Sequence, residues 1–470
     1  MTVRSRVHPR SIEGTFKALG AFFMVWGTAW LATGSFLGAV ASIKLHKPDF
    51  LAECVLLTFG RVYPAYLNAL IYGWGSNAIF GLGLWIMGRL CKSPIPQRYK
   101  GVLWVAGFFW NVGVVLGIGS ILLGNMTSLE LLEMPAWVTP FLLFAYALIG
   151  VWGVVAFRYR TLDTVYVSQW YLFGALFWFP WMYSTAQVMG VLAPARGVVQ
   201  AIVGTWFAHN VVLLWLAPMG FAVAYYLIPK MLGRPVRHYS LTTLGFWAFA
   251  FLAGWTGTAS LNGGPIPVWV SSVGVAASVL LLLPVLIIVL NYHLTLRSGY
   301  GQVLSQPGGG FVVLGIGALS LFGLAIPVMA LPEVSAVLEL TYVRDAHFFL
   351  GVYGFFTLTF LGATEFILIS QIKPEIKDSR RWAGFWRKVH FVLTALGVML
   401  VTVGLSGAGW IQGSEMGMLD GDGQPIYALP SIGAHTQSWL QWSSIGWVLL
   451  AFGQMILFLR VLMTVRFIQR

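Results

Sequence analysis

The chain has 470 residues, of which 58% are hydrophobic and only 9% are charged, and its formal net charge at pH 7 is +13. Ordinary soluble domains carry about 25% charged residues. This composition therefore excludes a water-soluble globular protein and indicates an integral membrane protein surrounded by lipid. Because the basic residues lie mainly in loops between apolar segments, the positive charge indicates membrane topology and gives no support for nucleic-acid binding.

Apolar segments of about 20 residues recur along the whole chain and predict an all-α bundle of transmembrane helices. We expect twelve spans: 15–43, 63–88, 101–123, 136–157, 165–192, 200–229, 240–261, 269–292, 311–332, 346–370, 389–411 and 438–460. No intervening segment is long enough for a soluble domain, so residues 1–470 are predicted to form a single transmembrane domain.

The lysines and arginines predict how the helices are oriented. Most of the 28 fall in alternate loops, which the positive-inside rule assigns to the cytoplasm. The opposite loops contain few basic residues and most of the acidic ones. This alternation requires an even number of spans and predicts that both termini are cytoplasmic.

Polar side chains inside a bilayer are costly, so each is a candidate functional residue. Glu365 lies near the inner end of the tenth predicted span; it either contributes to a proton path or reaches the cytoplasmic interface near Lys373. His390 is expected at an interfacial helix end. His209 and His347 lie near the outer ends of two different helices, and two histidines at matched depth could hold a metal ion or a heme.

Residues 209–237 read HNVVLLWLAPMGFAVAYYLIPKMLGRPVR. They resemble the sixth helix of subunit I of the C-type (cbb-type) heme-copper oxidases, which carries HN, YYxxPK and RPV. The segments GRVYPAYLNA and DAHFFLGVYGF resemble the second and tenth helices, and the resemblance covers roughly residues 15 to 465. It implies a twelve-helix bundle in the bacterial inner membrane with a low-spin heme, a high-spin heme and a copper ion, which reduces oxygen and pumps protons.

The resemblance also implies where the copper and heme ligands of this family should lie. His209 matches one copper ligand, but Ala259 and Ser260 stand at the positions of the two others. The GHxH pair of the tenth helix matches Asp345, at the position of the high-spin heme ligand, and His347, at that of a low-spin heme ligand. Most ligand histidines are therefore replaced, which indicates a degenerate active site.

The second helix carries the remaining family positions. Tyr66 stands where the other low-spin heme ligand is expected, and Arg61 is a candidate contact for a heme propionate. We expect Tyr66 and His347 to face one another across the former low-spin site. Asp345 is expected to form a solvated ion pair with Arg344, which would contribute little to stability.

These replacements predict a protein that does not reduce oxygen by itself. Copper needs threefold imidazole coordination and is not expected here. The leading interpretation is a structural or accessory subunit of a respiratory electron-transport complex, without heme, beside a membrane c-type cytochrome or an intact oxidase subunit. The alternatives are an electron-transfer subunit with one residual heme b at His347, a proton or solute path involving Glu365, and an active cytochrome c oxidase or nitric oxide reductase.

Overall fold

The computed structural model describes residues 9–92, 99–161, 163–369 and 380–469. Within these ranges the chain consists of helices and turns without any β-strand, apart from one isolated bridge in the loop before the last helix. The predicted all-α architecture is therefore confirmed.

Long helices form where the sequence has long apolar runs. We number them α1 Pro9–His46, α2 Phe59–Cys91, α3 Lys100–Leu122, α4 Thr139–Arg158, α5 Val167–Gln187, α6 Val198–Leu232, α7 Tyr239–Ala253, α8 Val268–Leu296, α9 Gly309–Met329, α10 Tyr342–Ile367, α11 Arg380–Met416 and α12 Leu429–Gln469. Two short helices, Tyr300–Ser305 and Pro332–Leu338, precede α9 and α10. Among the described residues, eleven helices are long and apolar enough to cross a membrane, judged by length and composition.

Helix α5 is the predicted span that is absent from those eleven. It lies within the predicted range 165–192, so its position agrees with the sequence analysis. Its sequence is rich in Trp, Tyr, Ser and Gln, which lowers its mean hydropathy although one face packs on α6. Eleven of the twelve expected spans therefore correspond to helices that are apolar enough to cross a membrane. The remaining span corresponds to α5, which lies at the predicted place but is more polar.

Helices α2, α6 and α10 form the centre of the bundle and are almost entirely buried by the others. Each widens into π-helical turns a few residues after Tyr66, His209 or His347. These turns cover Ala69–Gly75 in α2, Val211–Leu216 in α6 and Leu350–Thr357 in α10. Since π-helical turns occur frequently at functional sites, the three helices that carry the candidate residues also share a local distortion beside them.

The predicted orientation names the two ends of the bundle. We call the end that carries His46, Tyr66 and Asp345 the outer end, and the end that carries Glu365 and Arg460 the inner end. Helix α12 packs against both α1 and α11 beside the central helices. The candidate residues therefore lie on both sides of α10.

Candidate functional site

The first two turns of α10 position its candidate residues. Thr341 caps the helix, because its hydroxyl accepts a hydrogen bond from the Val343 amide at 3.2 Å. The helix therefore starts at Tyr342 and places Asp345 in its first turn, where a carboxylate interacts favourably with the helix dipole. His347 follows two residues later, at about 100° per residue, so the two side chains point to nearly opposite sides of α10.

One side of α10 faces a cavity of about 100 Å³ that is lined by both His347 and His209. The loop after α7 contributes Ala259 and Ser260 to the wall of this cavity. The Ser260 hydroxyl is turned away, because it donates to the carbonyl of Gly257 at 2.7 Å. The structure therefore brings together the three positions at which the resemblance implies copper ligands, and it adds His347 to them.

His209 is held in this cavity wall by packing. Gly257 has a φ of +96°, and a Cβ atom at this position would lie 2.9 Å from the Cβ of His209, so glycine allows the loop to approach α6 closely. Nε2 of His209 is buried and has no hydrogen-bond partner among the described residues. A buried polar atom without a partner is uncommon and costly in proteins, so His209 is expected to lower the stability of the fold.

His347 is, in contrast, engaged by its surroundings. Its Nε2 lies 2.9 Å from the backbone carbonyl oxygen of Phe322. The imidazole also stacks on the Phe322 ring, with centroids 4.6 Å apart and an angle of 20° between the planes. Since a nitrogen must carry its proton to donate to a carbonyl, Nε2 has no lone pair available for a metal in this arrangement.

The opposite side of α10 faces α2 and α12. Asp345 accepts a hydrogen bond from the Tyr63 hydroxyl at 3.2 Å, and both residues line the same two small cavities as Tyr66. Tyr66 therefore faces Asp345. The expectation that Tyr66 faces His347 is wrong, because the rotation of α10 in the bundle turns His347 toward His209 and Asp345 toward Tyr66. The sides expected for Asp345 and His347 are therefore exchanged in the structure.

Aromatic side chains fill most of the space on the Asp345 side. Trp447 of α12 is only 4% exposed, and its ring lies edge-on to those of Tyr66 and Phe349, with centroids 5.3 Å away in each case. The ring of Tyr353 lies 6.0 Å from it. The two cavities that remain have volumes of about 30 Å³ each. Ring packing of this kind stabilises the bundle where the resemblance implies a low-spin heme.

Arg344 forms ion pairs with partners other than Asp345. Its guanidinium lies 2.8 Å from the carboxylate of Glu130 and 3.5 Å from that of Glu339, and all three side chains line the larger cavity. The expected pair of Arg344 with Asp345 is not formed, because Asp345 is turned toward Tyr63. Burial raises the pKa of the Glu339 carboxyl to about 7, although the neighbouring Arg344 opposes this shift.

Two polar residues of the second-helix pattern contact the protein itself. Arg61 donates to the carbonyls of Val55 and Leu122, at 3.1 and 3.3 Å. Asn68 donates to the buried Glu133 carboxylate at 2.8 Å. Burial raises the pKa of Glu133 to about 7, against the opposing effect of this hydrogen bond. Glu133 was not predicted as a site residue, since its partner lies 65 positions earlier in the chain.

Glu365 lies in a buried cluster at the inner end. Its carboxylate is 1% exposed and accepts two hydrogen bonds from the Arg460 guanidinium, at 2.5 and 3.0 Å. Nδ1 of His390 lies 3.7 Å from the same carboxylate, and His390 is fully buried. The alternative that Glu365 reaches the interface is therefore wrong, as is the interfacial position expected for His390. Glu365 and His390 each contact side chains on other helices, and the sequence around each residue does not indicate which side chains these are.

The donor atoms and cavity volumes do not fit the cofactors that the resemblance implies. A cavity of about 150 Å³ holds one benzene ring, and a porphyrin is several times larger than benzene, whereas the cavity lined by His209 and His347 has about 100 Å³. Across the described part of the chain, no three His, Cys, Asp or Glu side chains form a group that could hold a metal ion. In the cavity wall, copper would find the unpartnered Nε2 of His209 beside an alanine and a serine.

The profile of the family described as "Cytochrome C and Quinol oxidase polypeptide I" matches residues 18–450. The chain therefore belongs to this family, which is subunit I of the heme-copper oxidases. The family assigned from the sequence motifs is thereby confirmed.

Relatives and a solved structure extend this assignment. The chain is 25% identical over 411 residues to the Cbb3-type cytochrome c oxidase subunit CcoN1 of Stutzerimonas stutzeri, covering 84% of this chain and 82% of that one. It is also 25% identical over 406 residues to a cytochrome c oxidase subunit 1 homolog of Azorhizobium caulinodans, covering 82% and 70%. A heme-copper terminal oxidase solved as a dimer matches with a TM-score of 0.72 and 14% identity, over 96% of this chain and 84% of that one. These likenesses support the cbb-type branch and the subunit I fold.

Proposed function

We propose that this subunit I-like membrane protein does not reduce oxygen by itself and serves as a structural or accessory subunit of a respiratory electron-transport complex. The observation that carries the proposal is the donor set around α10. Where the family has imidazoles, this chain has Ala259, Ser260, Tyr66 and Asp345. The bundle is preserved while the groups that would bind and reduce oxygen are replaced.

The chemistry of the two sides of α10 supports this proposal. Heme and copper together would supply the electrons and the binding site for oxygen, and their ligands would come from the two cavities. On one side, the imidazole of His347 is held by the Phe322 carbonyl. On the other, the Asp345 carboxylate accepts from Tyr63, and Trp447 occupies the adjoining space. These residues therefore pack the bundle and form hydrogen bonds within it.

The expected partners follow from the same reasoning. A bundle of this kind without its own redox centres would act through contact with a membrane c-type cytochrome or an intact oxidase subunit. The named relatives are cytochrome c oxidase subunits from bacteria, which supports a place in the bacterial inner membrane. We propose that neither heme nor copper is bound and that no nucleic acid is recognised.

A cofactor assay on the purified, full-length protein tests this proposal. We expect no heme in a dithionite-reduced minus oxidised spectrum or in a pyridine hemochrome assay, and no copper by elemental analysis. A cbb-type relative purified in parallel serves as the positive control. Two hemes and one copper per chain would contradict the proposal.

The same assay separates the main alternative, an electron-transfer subunit with one heme b at His347. One heme per chain that disappears in a His347→Ala variant but persists in a matched His293→Ala variant would establish that alternative. The accessory role is tested by purifying the tagged protein from its own membranes and staining the complex for covalent heme. We expect a c-type cytochrome to copurify in a fixed ratio, and a chain that purifies alone would contradict an accessory role.

A further inference from the structure

The two small cavities on the Asp345 side adjoin one another at the outer end of the bundle, because they share several lining residues. Both are lined by Tyr63, Tyr66, Asp345 and Trp447, and each has a volume of about 30 Å³. We call this space the outer chamber. A void of this size can hold a water molecule when two to four polar groups face it. The two tyrosine hydroxyls and the carboxylate supply those groups.

A line of polar side chains leads from the outer chamber to the outer end of α1. Ser42 and Ser443 line the chamber, and the Ser42 hydroxyl lies 3.0 Å from the hydroxyl of Ser444. Ser444 in turn lies 3.0 Å from Nε2 of His46, the last residue of α1. Hydroxyl and imidazole groups can each accept and donate a proton, so these contacts connect the chamber with the outer surface.

A second line leads from the outer chamber toward the inner end. Tyr353 lines the chamber, and its hydroxyl lies 3.0 Å from that of Ser35 and within hydrogen-bonding reach of Gln454. Oε1 of Gln454 lies 3.3 Å from Nε2 of His390, and its amide nitrogen donates to the Thr394 hydroxyl at 3.1 Å. All of these side chains except that of Ser35 belong to α10, α11 or α12.

The inner end of this line is the buried cluster of Glu365, His390 and Arg460. Asp345 and Glu365 are twenty residues apart on α10, which corresponds to about 30 Å of helix. That length equals the thickness of the hydrocarbon core of a bilayer. Polar side chains therefore extend across the whole apolar layer, along the side of α10 that faces α11 and α12.

Gln454 lies in this line between groups that can relay a proton, but its own amide cannot do so. A carboxyl, hydroxyl or imidazole group can accept a proton on one side while it releases its own on the other. A primary amide accepts only at its oxygen and donates only from its nitrogen, so it does not pass a proton on. Across the described residues, the hydrogen-bonding contacts that join Tyr353 to His390 run through Gln454.

We propose that the outer chamber is a proton-exchange site open to the outer face of the membrane, and that Gln454 insulates it from the inner ionic cluster. A proton enters at His46 and moves through the serine hydroxyls and a chamber water to the Asp345 carboxylate. Each relaying group gains one proton and loses another, and the Asp345 carboxylate at the end of the line becomes a neutral carboxylic acid until the proton returns by the same route. The amide of Gln454 then keeps the membrane tight to protons.

Proton flux into liposomes tests this proposal. The full-length protein is reconstituted into vesicles of Escherichia coli polar lipid with an internal pH-sensitive dye, and a potassium gradient with valinomycin provides the driving force. We expect the unaltered protein to be as tight as protein-free vesicles. We expect Gln454→Glu, which keeps the length of the side chain and supplies a relaying carboxyl, to raise the proton flux at least fivefold.

Matched variants make the result specific. Gln454→Leu should remain tight, and Gln454→Glu combined with Tyr353→Phe should lose the added flux, because the hydroxyl that joins the chamber to position 454 is gone. Gln454→His provides a second relaying group if Gln454→Glu does not fold, as judged by size-exclusion chromatography. A folded relaying variant that stays tight, or a flux that survives Tyr353→Phe, would overturn the proposal, as would a leaky unaltered protein.

Discussion

The two sides of α10 are packed in different ways. On the Asp345 side, the ring of Tyr66 packs between Tyr63 and Trp447 with centroid distances of 5.2 and 5.3 Å. On the His347 side, the small residues Ala259 and Ser260 line a cavity of about 100 Å³. One side is filled and hydrogen-bonded, whereas the other retains a void and an imidazole nitrogen without a partner.

This difference shows that a central helix can be closely packed on one side while its other side borders a larger void. Interior packing stabilises in proportion to the contacts made, and voids forfeit those contacts. The Asp345 side should therefore contribute to stability, while His209 on the other side should reduce it. The predictions below test this contrast, beginning with the largest effect.

Trp447→Ala should be the most damaging single change on the filled side. It removes the ring that packs on Tyr66, Phe349 and Tyr353, and loss of a buried tryptophan costs about 3–5 kcal/mol. The measurement is the free energy of unfolding in mixed detergent micelles. Trp410→Ala is the matched control, since Trp410 is 63% exposed and should change stability little. Equal effects of the two substitutions would contradict the picture of a packed Asp345 side.

Leucine substitutions of His209 and His347, which line the same cavity, should change the free energy of unfolding in opposite directions. His209→Leu removes a buried nitrogen without a partner and should raise the free energy of unfolding by about 1–2 kcal/mol. His347→Leu removes the hydrogen bond to the Phe322 carbonyl and should lower it by about 1 kcal/mol. Both variants are compared in the same unfolding assay. If His209→Leu proves destabilising, the imidazole has a partner or a ligand, and the open side is still a functional site.

The smallest expected effect concerns Glu339 beside the open cavity. Its pKa is raised from the usual 4.5 to about 7 by burial, so the folded protein keeps a proton that the unfolded chain releases above pH 4.5. The stability that this group contributes is therefore present below pH 4.5 and is lost as the pH rises through 7. Glu339→Gln should flatten the decline in melting temperature between about pH 5 and pH 8. The exposed Glu333→Gln is the control, and an unchanged slope in Glu339→Gln would show that the cavity mouth is open to water.

Much of the fold could be predicted from the sequence because it depends on local patterns. Apolar runs of sufficient length define each helix, and even the more polar α5 lies where its run of Trp, Phe and Leu predicts it. The motifs around Tyr66 and His209 identify the family, and the substitutions at Ala259 and Ser260 can be read directly. These are statements about single segments, and none requires knowledge of how one helix is rotated against another.

The pairings between helices could not be predicted in this way. Glu365 meets Arg460 across 95 positions, and His347 finds the Phe322 carbonyl across 25. The sequence predicts an interfacial position for His390, although His390 belongs to one buried cluster with Glu365 and Arg460. Such contacts depend on helix rotation and packing, which apolar runs do not encode.

By itself, the sequence determined that this chain is a membrane-embedded helical bundle of the oxidase subunit I family. Composition, helix length and motif spacing carry that information locally. Only the tertiary structure decided that Asp345 faces Tyr66 and that His347 shares a cavity with His209. The physical reason is geometric: two positions along a helix turn a side chain through about 200°, and which side meets which neighbour is settled by the packing of the whole bundle.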